Sequence, residues 1–77
     1  MPTVKIIDSI KIDLYSREHS PPHFHAIYAG YEALITIQGF EIYAGSLPKS
    51  QLYKTLNWAR DNQDMLMDNF KRLNPRI

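Results

Sequence analysis

Three histidines, all of those in the chain, fall within one short stretch at positions 19, 23 and 25. His23 and His25 are two residues apart, so on a β-strand both imidazole rings would point to the same face. Histidine titrates near neutral pH, ligates metal ions and transfers protons. The stretch from Tyr15 to Ala26, which contains all three rings, therefore carries the strongest chemical signal in the sequence.

Metal binding is the first chemistry that this spacing allows. His23 and His25 could bind one ion from a strand, and His19 could reach the same ion from the preceding loop. A carboxylate from Glu18 or Glu41 would complete a site with histidine and carboxylate ligands. Zinc or non-haem iron suits such a set, so one hypothesis is a zinc or iron site.

Acid–base catalysis is the second. A small ribonuclease or other phosphodiesterase needs groups that move a proton and a cation that stabilises charge on a phosphate. The candidate catalytic residues are Arg17, His19, His23 and His25. In a third interpretation the histidines only brace the fold through hydrogen bonds. The residues by themselves leave all three open.

A rigid segment leads into the second and third histidines. Pro21 and Pro22 have a fixed φ, and they restrict the residue before them to extended conformations. Such stiffness would fix the directions of His23 and His25 and would reduce the entropy lost when they bind something. The segment from Arg17 to His25 is therefore the predicted working surface.

Composition limits the class of protein. The chain has 77 residues and no cysteine, which predicts one domain at 1–77 without disulfides or thiolate metal ligands. Nine basic and eight acidic residues leave a charge of +1, so nucleic-acid binding is allowed but is not implied by charge. Neither a signal peptide nor a membrane-spanning stretch is recognisable, which predicts a cytoplasmic protein.

Hydrophobic periodicity predicts an α+β domain, with a mostly antiparallel sheet packed by C-terminal helical segments. Alternating or β-branched runs indicate strands, and apolar residues at three-to-four spacing indicate helices. Ser46 is the predicted N-cap of the first helix, with Pro48 in its first turn, and the helical pattern loosens at Asn62. The predicted strands lie near 3–7, 10–15, 23–28, 31–38 and 40–45, and the helical segments near 48–61 and 63–73.

Two predicted turns set the strand registers. A tight turn at Ala29-Gly30 pairs Tyr28 with Tyr31, Ala26 with Ala33 and Phe24 with Ile35 on an apolar face. A turn at Gln38-Gly39 would pair Ile37 with Phe40, Ile35 with Ile42 and Ala33 with Ala44. On the opposite face, one row would then hold His25, Leu34 and Tyr43, and the next row His23, Thr36 and Glu41.

The motif Tyr-Ser-Arg-Glu-His-Ser-Pro-Pro-His-Phe-His-Ala, at 15–26, is followed by Gly30-Tyr31-Glu32-Ala33, Gly45-Ser46-Leu47-Pro48 and Leu56-Asn57-Trp58-Ala59. In this order the segments resemble the bacterial family named domain of unknown function 4160, from about Ile10 to Phe70. The resemblance implies a small bacterial protein that is often encoded beside a second small gene, an arrangement similar to toxin–antitoxin pairs.

A partner protein, the product of that neighbouring gene, is therefore the expected ligand of the segment from Arg17 to His25. A homo-oligomer is a further alternative. The family resemblance implies no catalytic residues, so the roles given to the histidines depend on their chemistry alone.

Overall fold

A computed structural model describes residues 3–16 and 21–75 of the chain. Five antiparallel strands form one sheet in the order β1-β2-β3-β4-β5, and two helices follow, which confirms the predicted α+β class. In the described residues, neither helix is long and apolar enough to span a bilayer. The elements are β1 Thr3–Ile7, β2 Ile10–Asp13, β3 His23–Tyr28, β4 Tyr31–Thr36, β5 Ile42–Gly45, α1 Lys49–Asp61 and α2 Gln63–Leu73.

Two hairpins close through two-residue turns. Asp8 and Ser9 join β1 to β2 with φ values of 46° and 68°, and Ala29 and Gly30 join β3 to β4 with 46° and 88°. A two-residue turn with positive φ at both central residues has a backbone twist that matches the right-handed twist of the flanking strands. In the second hairpin Tyr28 pairs with Tyr31 and Phe24 with Ile35, as predicted.

The turn between β4 and β5 differs from the prediction. β4 ends at Thr36 and β5 begins at Ile42, so the predicted strands at 31–38 and 40–45 were too long. Thr36 closes a longer loop, because its carbonyl accepts from the Phe40 N–H and its hydroxyl from the Glu41 N–H. Ile37 donates its N–H to the Pro22 carbonyl, so the predicted pairing of Ile37 with Phe40 was wrong.

A β-bulge changes the register of β5. Ile35 pairs with Ile42 as predicted, but the register shifts between Leu34 and Ile35, so that Ala33 lies opposite Gly45 and not Ala44. Gly45 has a φ of 75°, and a Cβ there would overlap the carbonyl oxygen of Glu32. Glycine is therefore required at this close approach of the two strands.

Tertiary hydrogen bonds explain two further differences. The strand predicted at 10–15 ends at Asp13, and the Tyr15 carbonyl accepts from the side chain of Asn74 beyond α2. The predicted N-cap at Ser46 was wrong, since Pro48 holds that position without a side-chain cap. The Ser46 N–H instead donates to the Glu32 carbonyl, which ties this residue to the sheet.

The core lies between one face of the sheet and the two helices. Asn62 separates the helices, as predicted, and its side chain donates to the Trp58 carbonyl. Alternation along the strands puts every second side chain on the helix-covered face. The buried apolar cluster consists of Ile10, Ile12, Leu14, Phe24, Ala26, Ala33, Ile35, Ile37, Leu47, Ala59, Leu66 and Phe70.

Candidate functional site

His23 begins β3 and is almost completely buried, with 2% of its surface exposed. Its Nδ1 lies 2.8 Å from the Pro21 carbonyl oxygen. Because a carbonyl only accepts, Nδ1 must carry the proton of this hydrogen bond. The ring packs against Tyr43 and Phe70, with centroid distances of 5.4 Å and 5.9 Å. The rigid proline segment and the aromatic contacts together fix the ring.

His25 lies two residues further along β3, and 12% of its side chain is exposed. Its Nδ1 is 2.9 Å from the Glu32 carboxylate, which accepts a hydrogen bond from it. Tyr15 contacts the ring edge to face, with a centroid distance of 4.6 Å and an interplanar angle of 77°. A carboxylate on one side and a tyrosine on the other therefore orient this imidazole.

The two imidazoles form a pair with 5.3 Å between their centroids. Each directs Nδ1 to an oxygen acceptor, so in the neutral ring the lone pair is on Nε2. A hydrogen bond from one ring nitrogen to a carbonyl or carboxylate is the arrangement that orients metal-binding and proton-transferring histidines. This arrangement suits His25, whose side chain is partly exposed, to proton transfer or ligand binding, whereas Nε2 of His23 is buried within the protein.

Asp13, at the end of β2, is fully buried beside the histidine pair. It is the cross-strand neighbour of His25. One carboxylate oxygen accepts from the Thr3 hydroxyl at 2.8 Å, and the other from the Tyr15 hydroxyl at 3.0 Å. The ammonium of Lys11 lies 3.6 Å from the second oxygen. Asp13 thus holds Tyr15, which in turn contacts the ring of His25.

Sequence reasoning assigned no role to Asp13, Tyr15 or Glu32. The charged side chain of Asp13 is completely buried. Polar residues at alternating positions of neighbouring strands could have indicated the contact between Asp13 and His25, because a sheet brings cross-strand neighbours together. That signal needs the β2–β3 register, which a long loop leaves undetermined.

The structure brings some of the predicted site residues together. His23 lies opposite Thr36 as predicted, and both histidines are on one surface. Tyr43 contacts His23, whereas the predicted row placed it beside His25. The bulge is the reason, because it puts Ala44 opposite Leu34.

The predicted metal set is only partly within the described residues. Glu41 immediately precedes β5, and its carboxylate lies beside Gly39. Within residues 3–16 and 21–75, no group of three or more histidine, aspartate and glutamate side chains is placed to hold a metal ion. Arg17, Glu18 and His19 lie outside the described residues. The zinc or iron site that includes His19 stays a prediction.

The fold and the site define a small α+β domain in which a five-stranded meander carries an oriented histidine pair on β3. Residues 9–71 match the model of one protein family, described as Domain of unknown function (DUF4160). The chain belongs to this family, as its motifs predicted. Neither a curated protein nor a solved structure matches the chain.

Proposed function

We propose that this protein is one component of a bacterial, cytoplasmic two-gene module similar to toxin–antitoxin systems, and that it binds a partner protein. The proposed surface contains His23, His25 and the neighbouring edge strand β5, together with the predicted segment that begins at Arg17. The arrangement of genes that the family resemblance implies supports a partner encoded nearby.

The observation that carries the proposal is the exposure of β5 beside the histidine pair. All four residues of this strand are exposed, and Ile42 and Tyr43 expose 45% and 50% of their surface. Tyr43 also packs on the buried ring of His23, so the edge strand adjoins the histidine pair. Tyrosine at the centre of a surface patch is typical of protein interfaces.

The two edges of the sheet support this choice of surface. A free strand edge presents unpaired backbone groups, and proteins commonly protect such edges with lysine, proline or bulges. Both edge strands pair through a register shift, but β1 also contains Lys5, whereas β5 contains neither lysine nor proline. An extended segment of a partner protein could add to β5 by backbone hydrogen bonds.

Co-expression with the neighbouring gene product tests the proposal. The complex should co-elute in size-exclusion chromatography, and Tyr43→Ser should weaken it about tenfold or more, as expected for loss of an aromatic interface residue. Tyr53→Ser is the matched control, because Tyr53 is 55% exposed but lies on α1. Equal loss of binding in both variants, or a neighbour that never co-elutes, would contradict the proposal.

A histidine-dependent ribonuclease or phosphodiesterase is the alternative. It is favoured by one observation, the hydrogen bonds that hold Nδ1 of both His23 and His25 and so direct the neutral lone pairs to Nε2. Proton transfer through such oriented rings is the chemistry of general acid–base catalysis. In a metal-assisted form of this alternative, His19 would supply the third ligand.

Growth after expression separates the alternatives. An enzyme of this kind should arrest growth, and His25→Ala should restore it while the protein still folds. The metal-assisted form also predicts bound zinc or iron in the purified protein and a lower melting temperature after chelation. A growth arrest that persists in His25→Ala would exclude catalysis by this ring, and a lower melting temperature alone would indicate a bracing role.

A further inference from the structure

A cleft of about 550 Å³ lies at the opposite edge of the domain from β5. It is formed between the first two strands and the last turns of α2. Small-molecule sites in proteins have volumes of about 300–1,000 Å³. The described residues that line it are Val4, Leu14, Tyr15, Ser16, Asn69, Arg72 and Leu73.

The floor of the cleft is apolar and held in place. Leu14 is fully buried in the core, Val4 packs against it, and Leu73 presents a partly exposed side chain from α2. The side chain of Asn74 donates to the Tyr15 carbonyl at 2.9 Å, which connects the end of α2 to the strand side. This bond joins the two walls, so the cleft exists before any ligand binds.

Arg72 is the single charged side chain among the described residues that line the cleft. It forms neither a hydrogen bond nor an ion pair with another residue of the described chain. A guanidinium is always protonated and donates two parallel hydrogen bonds to a carboxylate. The amide of Asn69, one turn earlier on the same helix, is a further donor at this rim.

From this combination we propose that the cleft binds a small amphiphilic carboxylate, with its carboxylate group at Arg72 and its aliphatic or aromatic body on Val4 and Leu73, above the buried Leu14. The apolar floor suits a hydrocarbon body, and Arg72, the one cation among the lining residues that the structure describes, matches a single negative charge. A phosphate dianion would keep an uncompensated charge beside this apolar floor. The cleft adjoins the partner surface, because Tyr15 lines the cleft and also contacts the His25 ring, but Arg72 and Leu73 lie on α2 outside that surface.

Titration of methyl-labelled protein with octanoate, followed by NMR, tests the proposal. Octanoate should shift the methyl signals of Val4, Leu14 and Leu73 saturably, and octan-1-ol should bind about tenfold more weakly because it lacks the charged acceptor. Arg72→Gln should weaken octanoate about tenfold and leave octanol unchanged. Lys71→Gln is the matched control, since it removes the same charge from the same helical turn outside the cleft.

Three outcomes would overturn the proposal. Octanol binding as tightly as octanoate would make the cleft an apolar groove without selectivity for carboxylates. Equal weakening by Arg72→Gln and Lys71→Gln would assign the attraction to the general charge of the helix end. Methyl shifts that depend on protein concentration, without added octanoate, would identify a second copy of the chain as the occupant. None of these results depends on the partner protein, so failure here leaves the proposed function separately testable.

Discussion

On the face of the sheet that the helices cover, Ile12, Phe24 and Ile35 are fully buried among other apolar side chains. On the opposite face Asp13 is equally buried and His23 nearly so, but their contacts are hydrogen bonds and ring contacts. Burial of apolar surface is non-directional, whereas a buried polar group must meet its partner at a definite distance and angle. The first face therefore supplies stability, and the second supplies orientation.

The difference shows why function should be sought on the second face. A buried carboxylate or imidazole is costly unless it is hydrogen-bonded, and each such group here has a partner. The contacts lead from Asp13 through Tyr15 to His25 and on to Glu32. An apolar residue could fill the same space without fixing any ring, so this network determines where the imidazoles point.

Truncation of the apolar face should have the largest effect on stability. Phe24→Ala removes a fully buried ring and leaves a cavity, which should lower the free energy of unfolding by about 3–5 kcal/mol. Urea denaturation followed by circular dichroism measures this change. Ile6→Ala is the control, because Ile6 is largely exposed and its loss should cost little. Similar losses in both variants would show that Phe24 does not belong to the main core.

Disruption of the polar face should have an intermediate effect on the free energy of unfolding. Asp13→Ala leaves the hydroxyls of Thr3 and Tyr15 without their acceptor, which should cost about 1–3 kcal/mol. Asp13→Asn keeps one acceptor oxygen and should cost less. Histidine NMR signals should report a changed environment of His25 in Asp13→Ala. A loss of stability with unchanged His25 signals would contradict the positioning role of Asp13 and Tyr15.

Glu32, at the partly exposed end of the network, should contribute least to the free energy of unfolding. Glu32→Gln removes the charge opposite His25, and half of the Glu32 side chain is exposed to water. When His25 is protonated, its contact with Glu32 is an ion pair with a half-exposed carboxylate. Exposed ion pairs contribute roughly 0.2–1 kcal/mol, so under that condition the loss in free energy of unfolding should fall in this range and shrink at high salt. Urea denaturation at low and high salt measures it. A loss as large as that of Asp13→Ala would mean that the two ends of the network are equally important.

Much of the fold could be predicted because its signals are local. The turn at Ala29-Gly30 and the alternation on both sides of it were enough to predict the pairing of Phe24 with Ile35. The same reasoning gave the wrong pairing at the next turn. There the Thr36 hydroxyl closes a longer loop, and Gly45 comes close to the Glu32 carbonyl at a bulge. A one-residue shift in register changes which side chains are neighbours, and it moved Tyr43 from His25 to His23.

The sequence by itself determined the class of the domain, the family and the histidine pair, because periodicity and His23-Phe24-His25 spacing are properties of the chain alone. Tertiary structure decided the partners of that pair. Asp13 and Tyr15 reach His25 only once β2 has paired with β3 across an intervening loop. Asn74 likewise meets the Tyr15 carbonyl only when α2 has packed onto the sheet. The pairing of strands separated by a long loop depends on burial and on hydrogen bonds made after folding, which no local pattern encodes.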